Sequence, residues 1–545
     1  MRESSGRLVR RGSCPALRAA SAPQAGRRTR PLSRLVAVLA TFSALLAAGC
    51  TIFPQGAYWP SSRDHVVRVS PQAPTGAIGG GRPRADLAAA AGRRWSDEAL
   101  AGSARRMNGW VGCTVYAEVV QAVVWLYVER VTYRDLVVAG MESLRAALEA
   151  PEFRARFEAA RDEERRRRFA EALDILILKS RANNPWFAWQ AADWLAVAME
   201  KNRALVGVPD GAVVAEFLFG AMDSLDPYTR FLTPEMLEVY EEQIEGRYTG
   251  MGLGVEKRGG RIFFMKVFEG GPAEGAGLKP GDELLSVDGE AVAPLSVAQV
   301  TGRLRGKAGT SVTLKVQSAG EAEPREVAVV RRVLSVPAVE DVQMVDAERR
   351  VGYLRLSDFR DGVEKPFRRA VRQLADQGAQ ALILDLRDNP GGSLFSAIDV
   401  AGALLEGGRV ARTRGRALGT TWTYDVPWLA RPAWRGPLAV LVNGRTASAA
   451  EIVASALARH ERATIVGTNT FGKGAVQIYL PIAWGASAVS ITIARVYDVE
   501  GECLDGAGVT PDVRAAESEP APEKLADDPV VRAAVESVSA PAREP

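Results

Sequence analysis

Histidine is almost missing from this chain: among 545 residues only His65 and His460 carry an imidazole. That scarcity argues against a Ser-His-Asp arrangement and against any His-rich metal site. Cysteine is nearly as rare, at positions 14, 50, 113 and 503, and no CxxC pair occurs, so structural zinc has no support. Charge of one sign is lacking too. The net charge is +4, and much of the positive excess sits in the first 34 residues, among them Arg27, Arg28, Arg30 and Arg34. No basic patch interleaved with aromatics stands out, which removes nucleic acid as a partner. The run Arg165–Arg168 follows Glu163 and Glu164 in a helical pattern and reads as a solvated helix face. No metal and no cofactor are expected.

What remains is ordinary soluble composition, 47% apolar and 25% charged. The length suits two to four domains at roughly 100–200 residues each. Arg27 to Arg34 form a basic segment ahead of the apolar run Leu35 to Ala48, which is too short for a permanent bilayer span. Gly49-Cys50 follows, and Ala-Ala-Gly-Cys resembles a bacterial lipobox, with Ala47 where leucine is usual. The expectation is an exported, periplasmic chain anchored to the membrane through lipidated Cys50. A plain secretory signal cut elsewhere, or an uncleaved anchor, is the alternative. Cys113 and Cys503 would then remain, as one disulfide or as two separate thiols.

Texture divides the rest. Residues 1–50 read as the signal, 51–94 as a Pro/Gly/Ala-rich linker, and 95–246 as a helical region. Ser224-Leu225-Asp226-Pro227 breaks the helical pattern and Thr233-Pro234-Glu235 starts a new helix. Trp186, Trp189 and Trp194 are expected in the core of this region. Residues 247–337 turn β-rich, with strands at Ile262–Val267, Glu283–Val287 and Val312–Val316. Residues 338–513 alternate strand and helix. Val351–Leu356 is a strand, Ala381–Leu386 and Leu438–Val442 are continuous apolar strands, and Phe367, Ala370, Val371 and Leu374 form a helical stripe stopping at Gly378. Residues 514–545 read as a tail, with a short helix starting at Asp528-Pro529.

Gly252-Leu253-Gly254-Val255 opens the β-rich part. Glycines let successive backbone N–H groups converge on a carboxylate, and a neighbouring strand edge can add a ligand as a further strand. Gly271-Pro272-Ala273, Ala276-Gly277-Leu278, Pro280-Gly281-Asp282 and Val287-Asp288-Gly289 follow in order, a series that resembles the PDZ domains of bacterial proteases. That resemblance implies recognition of free C-termini.

Ser448-x-x-Glu451 is by itself an ordinary capping box. Its surroundings give it further meaning. A serine at a helix start has the next N–H, from Ala449, at the positive helix end, where an oxyanion is stabilised. Phe471-Gly472-Lys473-Gly474 follows the apolar strand Ala463–Val466, and its glycines let the lysine point inward. Leu386-Arg387-Asp388-Asn389-Pro390-Gly391-Gly392 ends a buried strand in a turn whose N–H groups can supply a second oxyanion donor. Lysine is a base only when neutral, so its ordinary pKa of about 10.4 has to fall, and burial does this.

Together these motifs resemble the carboxyl-terminal processing (tail-specific) serine proteases of bacteria and chloroplasts. The likeness runs from about 112 to 513 and includes Ser224 to Arg230, Ile493-Ala494-Arg495 and Gly508-Val509-Thr510-Pro511-Asp512. It implies a multidomain α+β chain: an N-terminal helical region, a PDZ domain and an α/β protease core of the crotonase/ClpP-like kind. It further implies Ser448 as nucleophile, Lys473 as general base, Gln477 orienting the lysine amine, and Ala449 with Gly391 or Gly392 as oxyanion hole. Substrate tails would bind at Gly252, Leu253, Gly254 and Val255. Thr446, Ala450 and Thr468 depart from the usual pattern without touching the dyad. Expected partners are proteins or peptides with free C-termini, the membrane through the lipid anchor, and an adaptor or a second copy at the helical region. A catalytically inactive, lipid-anchored PDZ scaffold is the rival reading. A crotonase-like acyl-transfer enzyme would need a coenzyme A site, for which no feature speaks. His460, on the helix after Ser448, is expected at the surface or in packing.

Overall fold

The computed structural model describes residues 84–234, 236–237, 240, 247–318, 320–335, 337–482, 487–518, 522 and 524–539. The signal segment, Cys50 and Glu235 lie outside them. Helices Arg84–Trp95, Glu98–Arg106, Gly109–Leu126, Tyr133–Ala147, Pro151–Arg156, Glu163–Arg181, Ala188–Leu205 and Asp210–Asp223 build the first layer. The linker expected up to position 94 is therefore helical from Arg84 onward. Its alanines, compositionally bland, are strong helix formers, and Trp95 anchors the helix. The indole is fully buried, edge-on to Phe153 and Phe157, and donates from Nε1 to Glu216 Oε1 at 2.5 Å. Glu216 is itself completely buried and also accepts from Arg94 Nη2 (2.8 Å) and Ser143 Oγ (2.6 Å).

Trp186 and Trp189 depart from the expected core position: they are 81% and 60% exposed, and Trp194 is half-buried. The helix Ala188–Leu205 buries a stripe of mostly small residues, Ala188, Ala191, Ala192, Leu195 and Ala198, so Trp189 falls outside the contact face, and Trp186 precedes the helix. Gln190 Oε1 accepts from the N–H groups of Trp186 and Phe187 and fixes the corner. Cys113 and Cys503 are separate thiols.

The β-rich part is a six-stranded sheet among the described residues, ordered Leu253–Arg258, Arg261–Val267, Glu283–Val287, Ser311–Gln317, Arg325–Val330, with Glu290–Ala291 beside the third. Alternation in Ser311–Gln317 buries Val312, Leu314 and Val316 and exposes the residues between. A two-stranded ribbon, Arg247–Gly250 against Arg332–Ser335, joins its two ends.

The core holds two sheets. In one, Val339–Asp346 pairs antiparallel with Val351–Leu356, after which Ala381–Asp385, Leu438–Val442, Thr464–Gly467 and Val513–Arg514 follow in parallel. Every residue of Ala381–Asp385 and Leu438–Val442 is buried, as continuous apolar runs require in a parallel sheet. The helix Glu364–Asp376 buries Phe367, Ala370, Val371 and Leu374. The second sheet runs Arg230–Leu232, Ser487–Tyr497, Arg409–Arg414, Trp422–Asp425, with Ala475–Ile482 also on Ser487–Tyr497.

Two boundaries differ from the sequence reading. Arg230–Leu232, inside the helical region, adds a strand to the core sheet. The tail is part of the core: helix Pro529–Ser539 buries Val530, Val531, Ala534, Val535 and Val538 against the parallel sheet. Asp528 secures it by accepting from Arg387 Nη1 at 2.7 Å.

Trp95→Ala is expected to lower unfolding stability by about 3–5 kcal/mol, the cost of emptying an aromatic core site, with Glu216 losing a donor as well. Chemical denaturation checks this, and a loss below about 1 kcal/mol would contradict the packing role.

Candidate active site

The strand Leu438–Val442 leads into Asn443-Gly444-Arg445-Thr446-Ala447 and then Ser448, the residue ahead of helix Ala449–Arg459. Thr446 Oγ1 donates to Leu386 O (2.8 Å) and the Ala447 N–H donates to Asn389 O (2.9 Å), so this loop is tied to the end of the neighbouring strand. Ser448 adopts φ +63°, ψ −115°, a conformation costing roughly 1–3 kcal/mol for a residue with a side chain. Its buried Oγ has no hydrogen-bond partner among the described residues.

Glu451 explains what holds that turn. Its Oε2 accepts from the Ser448 N–H (2.6 Å) and from the Lys473 N–H (2.8 Å). Its Oε1 accepts from the Gly472 N–H (2.7 Å) and Thr470 Oγ1 (2.5 Å). The backbone half of the capping box is thus made, while the serine hydroxyl is left out of it. One buried carboxylate joins the two chain segments carrying Ser448 and Lys473. Burial pushes the Glu451 carboxyl above the usual range, against the pull of these donors.

Gly391 packs against the serine. A Cβ there would lie 2.7 Å from Ser448 Cβ and 2.9 Å from the Ala449 nitrogen, and φ is +99°. Its N–H goes to Asn389 Oδ1 (2.8 Å). Gly392, at φ +144°, backs onto Phe359 O, which a Cβ would meet at 2.6 Å.

Lys473 is 1% exposed. Its Nζ lies 4.4 Å from the centre of the Tyr228 ring, over its face. Burial drives its pKa well below 10.5, and the Arg230 guanidinium lowers it further, against the opposing charges of Asp226, Asp505 and Glu451. Lys473 and Gln477 share a small cleft with Tyr228, Arg230, Leu232 and Tyr479. Gln477 is buried; its Nε2 meets Thr492 Oγ1 at 3.2 Å and its Oε1 has no partner among the described residues. The contact expected between the Ser448 hydroxyl and the lysine amine is not made in this structure, since that hydroxyl is unpartnered. The backbones are joined; the side chains are not.

The remaining assignments fall elsewhere. Gly252 has φ +80°, and among the described residues Leu253–Arg258 pairs only with Arg261–Val267, at the edge of its sheet, with helix Val297–Leu304 nearby. His460 ends helix Ala449–Arg459, exposed, its Nε2 2.7 Å from Arg409 O. Three site residues escaped the sequence reading: Glu451 as a clamp, and Tyr228 and Arg230 around the amine. The last two belong to Ser224 to Arg230, a motif whose presence was noted without a role.

A peptidase family S41 model matches residues 350–515 and a PDZ domain model matches 263–318. The carboxy-terminal-processing protease of Bartonella bacilliformis is 33% identical over 324 residues, covering 58% of this chain and 73% of its own. The carboxyl-terminal-processing protease of Synechocystis sp. is 35% identical over 323 residues, covering 58% and 74%. Among solved structures, a photosystem II D1 C-terminal processing protease matches with TM-score 0.43 at 24% identity, covering 79% of this chain and 98% of that one.

Glu451→Gln would turn one acceptor into a donor facing N–H groups. The expected loss is about 1–3 kcal/mol of stability, the cost of stranded buried donors, read by thermal or chemical unfolding. An unchanged midpoint would contradict the clamp.

Proposed function

The chain belongs to peptidase family S41, the carboxyl-terminal-processing serine proteases, and from that premise we propose that it cuts exported proteins after capturing their tails, using Ser448 and Lys473. The observation that carries this reading is the shared Glu451 oxygen, which holds the Ser448 and Lys473 backbones together while leaving the hydroxyl uncommitted. The proposed reaction then requires the lysine amine to reach that hydroxyl.

Neutral Lys473 takes the Ser448 proton as Oγ attacks the peptide carbonyl carbon. Negative charge collects on the carbonyl oxygen, met by the Ala449 N–H at the positive helix end. The Gly391 N–H is engaged with Asn389, so the second donor falls to Gly392. The lysine ammonium returns its proton to the leaving amine, and an acyl-enzyme remains. Water then attacks the ester as Lys473 takes one of its protons; the ammonium passes that proton to Ser448 Oγ as the acyl–oxygen bond breaks, and the acid product leaves and ionises, which restores the serine hydroxyl and the neutral amine. Gln477, beside Lys473 in the cleft, orients the amine.

Ser448→Ala and Lys473→Arg are each expected to cut peptide hydrolysis by about 10⁴-fold or more. Arginine fails because its guanidinium stays protonated. Activity of Ser448→Ala equal to the parent would remove the mechanism. Absence of cleavage by the parent too would favour the inactive PDZ scaffold.

For the tails, the reading rests on the open edge of Leu253–Arg258 and the glycine turn at Gly252, where a C-terminal carboxylate would meet backbone N–H groups while its chain adds a strand. A peptide with a free apolar C-terminus is expected to bind, and its C-terminal amide to bind about tenfold more weakly or worse, a loss of roughly 1.4 kcal/mol. Equal affinities by titration calorimetry would contradict this. We place the enzyme in the periplasm, anchored by lipidated Cys50, on the strength of the basic segment, the apolar run and Gly49-Cys50. The helical region, with exposed Trp186 and Trp189, is the surface we assign to an adaptor or a second copy.

A further inference from the structure

A primary amide has two ends of similar shape and opposite hydrogen bonding. For Gln477 to orient a lysine amine, its carbonyl oxygen rather than its NH₂ must face the cleft. Lys473 cannot enforce this from its side, because a neutral amine both donates and accepts. Something else has to fix the amide.

Across the sheet, Gln477 sits opposite Thr492, immediately after a register shift between Val476 and Gln477. Such bulges re-aim side chains beside functional sites. Gln477 Nε2 and Thr492 Oγ1 are 3.2 Å apart. Thr492 Oγ1 in turn lies 3.1 Å from Asp226 Oδ1. Asp226 is 4% exposed, and its Oδ1 also accepts from the Tyr228 and Thr229 N–H groups at 2.7 and 2.9 Å. Its Oδ2 accepts from Thr229 Oγ1 at 3.1 Å. An ionised carboxylate can only accept. The single hydroxyl hydrogen of Thr492 therefore goes to Asp226, which leaves Thr492 Oγ1 as an acceptor toward Gln477. The amide must present NH₂ to it and turn Oε1 the other way, where that oxygen is buried and unpartnered.

We propose that Thr492, polarised by Asp226, is the positioning residue that turns the Gln477 carbonyl oxygen toward the Lys473 amine. This rests on the assignment of Ser448, Lys473 and Gln477 as the catalytic group. It also gives the Ser224 to Arg230 motif a part in the chemistry: its aspartate sets the direction of a hydrogen-bond chain ending at the general base.

The test is steady-state peptide hydrolysis by the full chain. Thr492→Val keeps the shape and removes the hydroxyl. It is expected to lower kcat about 10- to 100-fold, the usual size of effect for losing a partner that orients a functional side chain, with KM within about twofold. Thr492→Ser should recover most of that loss. In a Gln477→Ala background, Thr492→Val should cost no more than about a further twofold, because residues acting through one another do not add. Parental kcat in Thr492→Val, failure of serine to rescue, or the same large loss in both backgrounds would each overturn the proposal. A Ser448→Ala control as active as the parent would instead bring down the catalytic assignment itself.

Discussion

A single buried carboxylate, that of Glu451, is the constraint on which the site depends. Leaving a carboxylate in a dry interior costs several kcal/mol unless donors surround it. Here four donors do so, and they come from two chain segments: Ser448 on one, Thr470, Gly472 and Lys473 on the other. Thr470 is itself held, accepting from the Val509 N–H at 2.7 Å. Satisfying the charge therefore fixes the turn that presents the serine and the turn that presents the lysine in one operation. The strained Ser448 backbone is the local cost of that arrangement.

The second constraint is solvent exclusion around the amine. Three carboxylates lie close enough to favour an ammonium at Lys473, yet burial dominates them, and Arg230 adds to it. The same low polarity pushes the Tyr228 hydroxyl up to about 12. The net effect favours the uncharged amine that the proposed general-base role requires, with no histidine involved. Strand Arg230–Leu232, which arrives from the helical region and joins the second core sheet, contributes Arg230 and Leu232 to the cleft around that amine.

Much of this was legible in the sequence where periodicity is local. Val351–Leu356 and the continuous apolar run Leu438–Val442 form the strands expected of them, and the Phe367 stripe forms the helix. Helix Arg84–Trp95 was hidden because an alanine-rich composition looks like a linker until a tryptophan anchors it. The exposed Trp186 and Trp189 misled in the other direction, since side-chain size says nothing about which helix face small residues will claim. Glu451 was visible only as a capping residue. Its partners lie some twenty positions away, and nothing in a one-dimensional pattern connects Ser448 to the N–H of Lys473. Thr492 and Asp226, on opposite sides of the PDZ domain in sequence, were beyond reach for the same reason.

The protonation state of the base is the point on which the account stands. Lysine side-chain carbon resonances report it directly, so a pH titration of the Lys473 Cε signal in the intact enzyme is the decisive measurement. The account predicts deprotonation well below the ordinary lysine value of 10.5. A midpoint at or above 10.5 would contradict it.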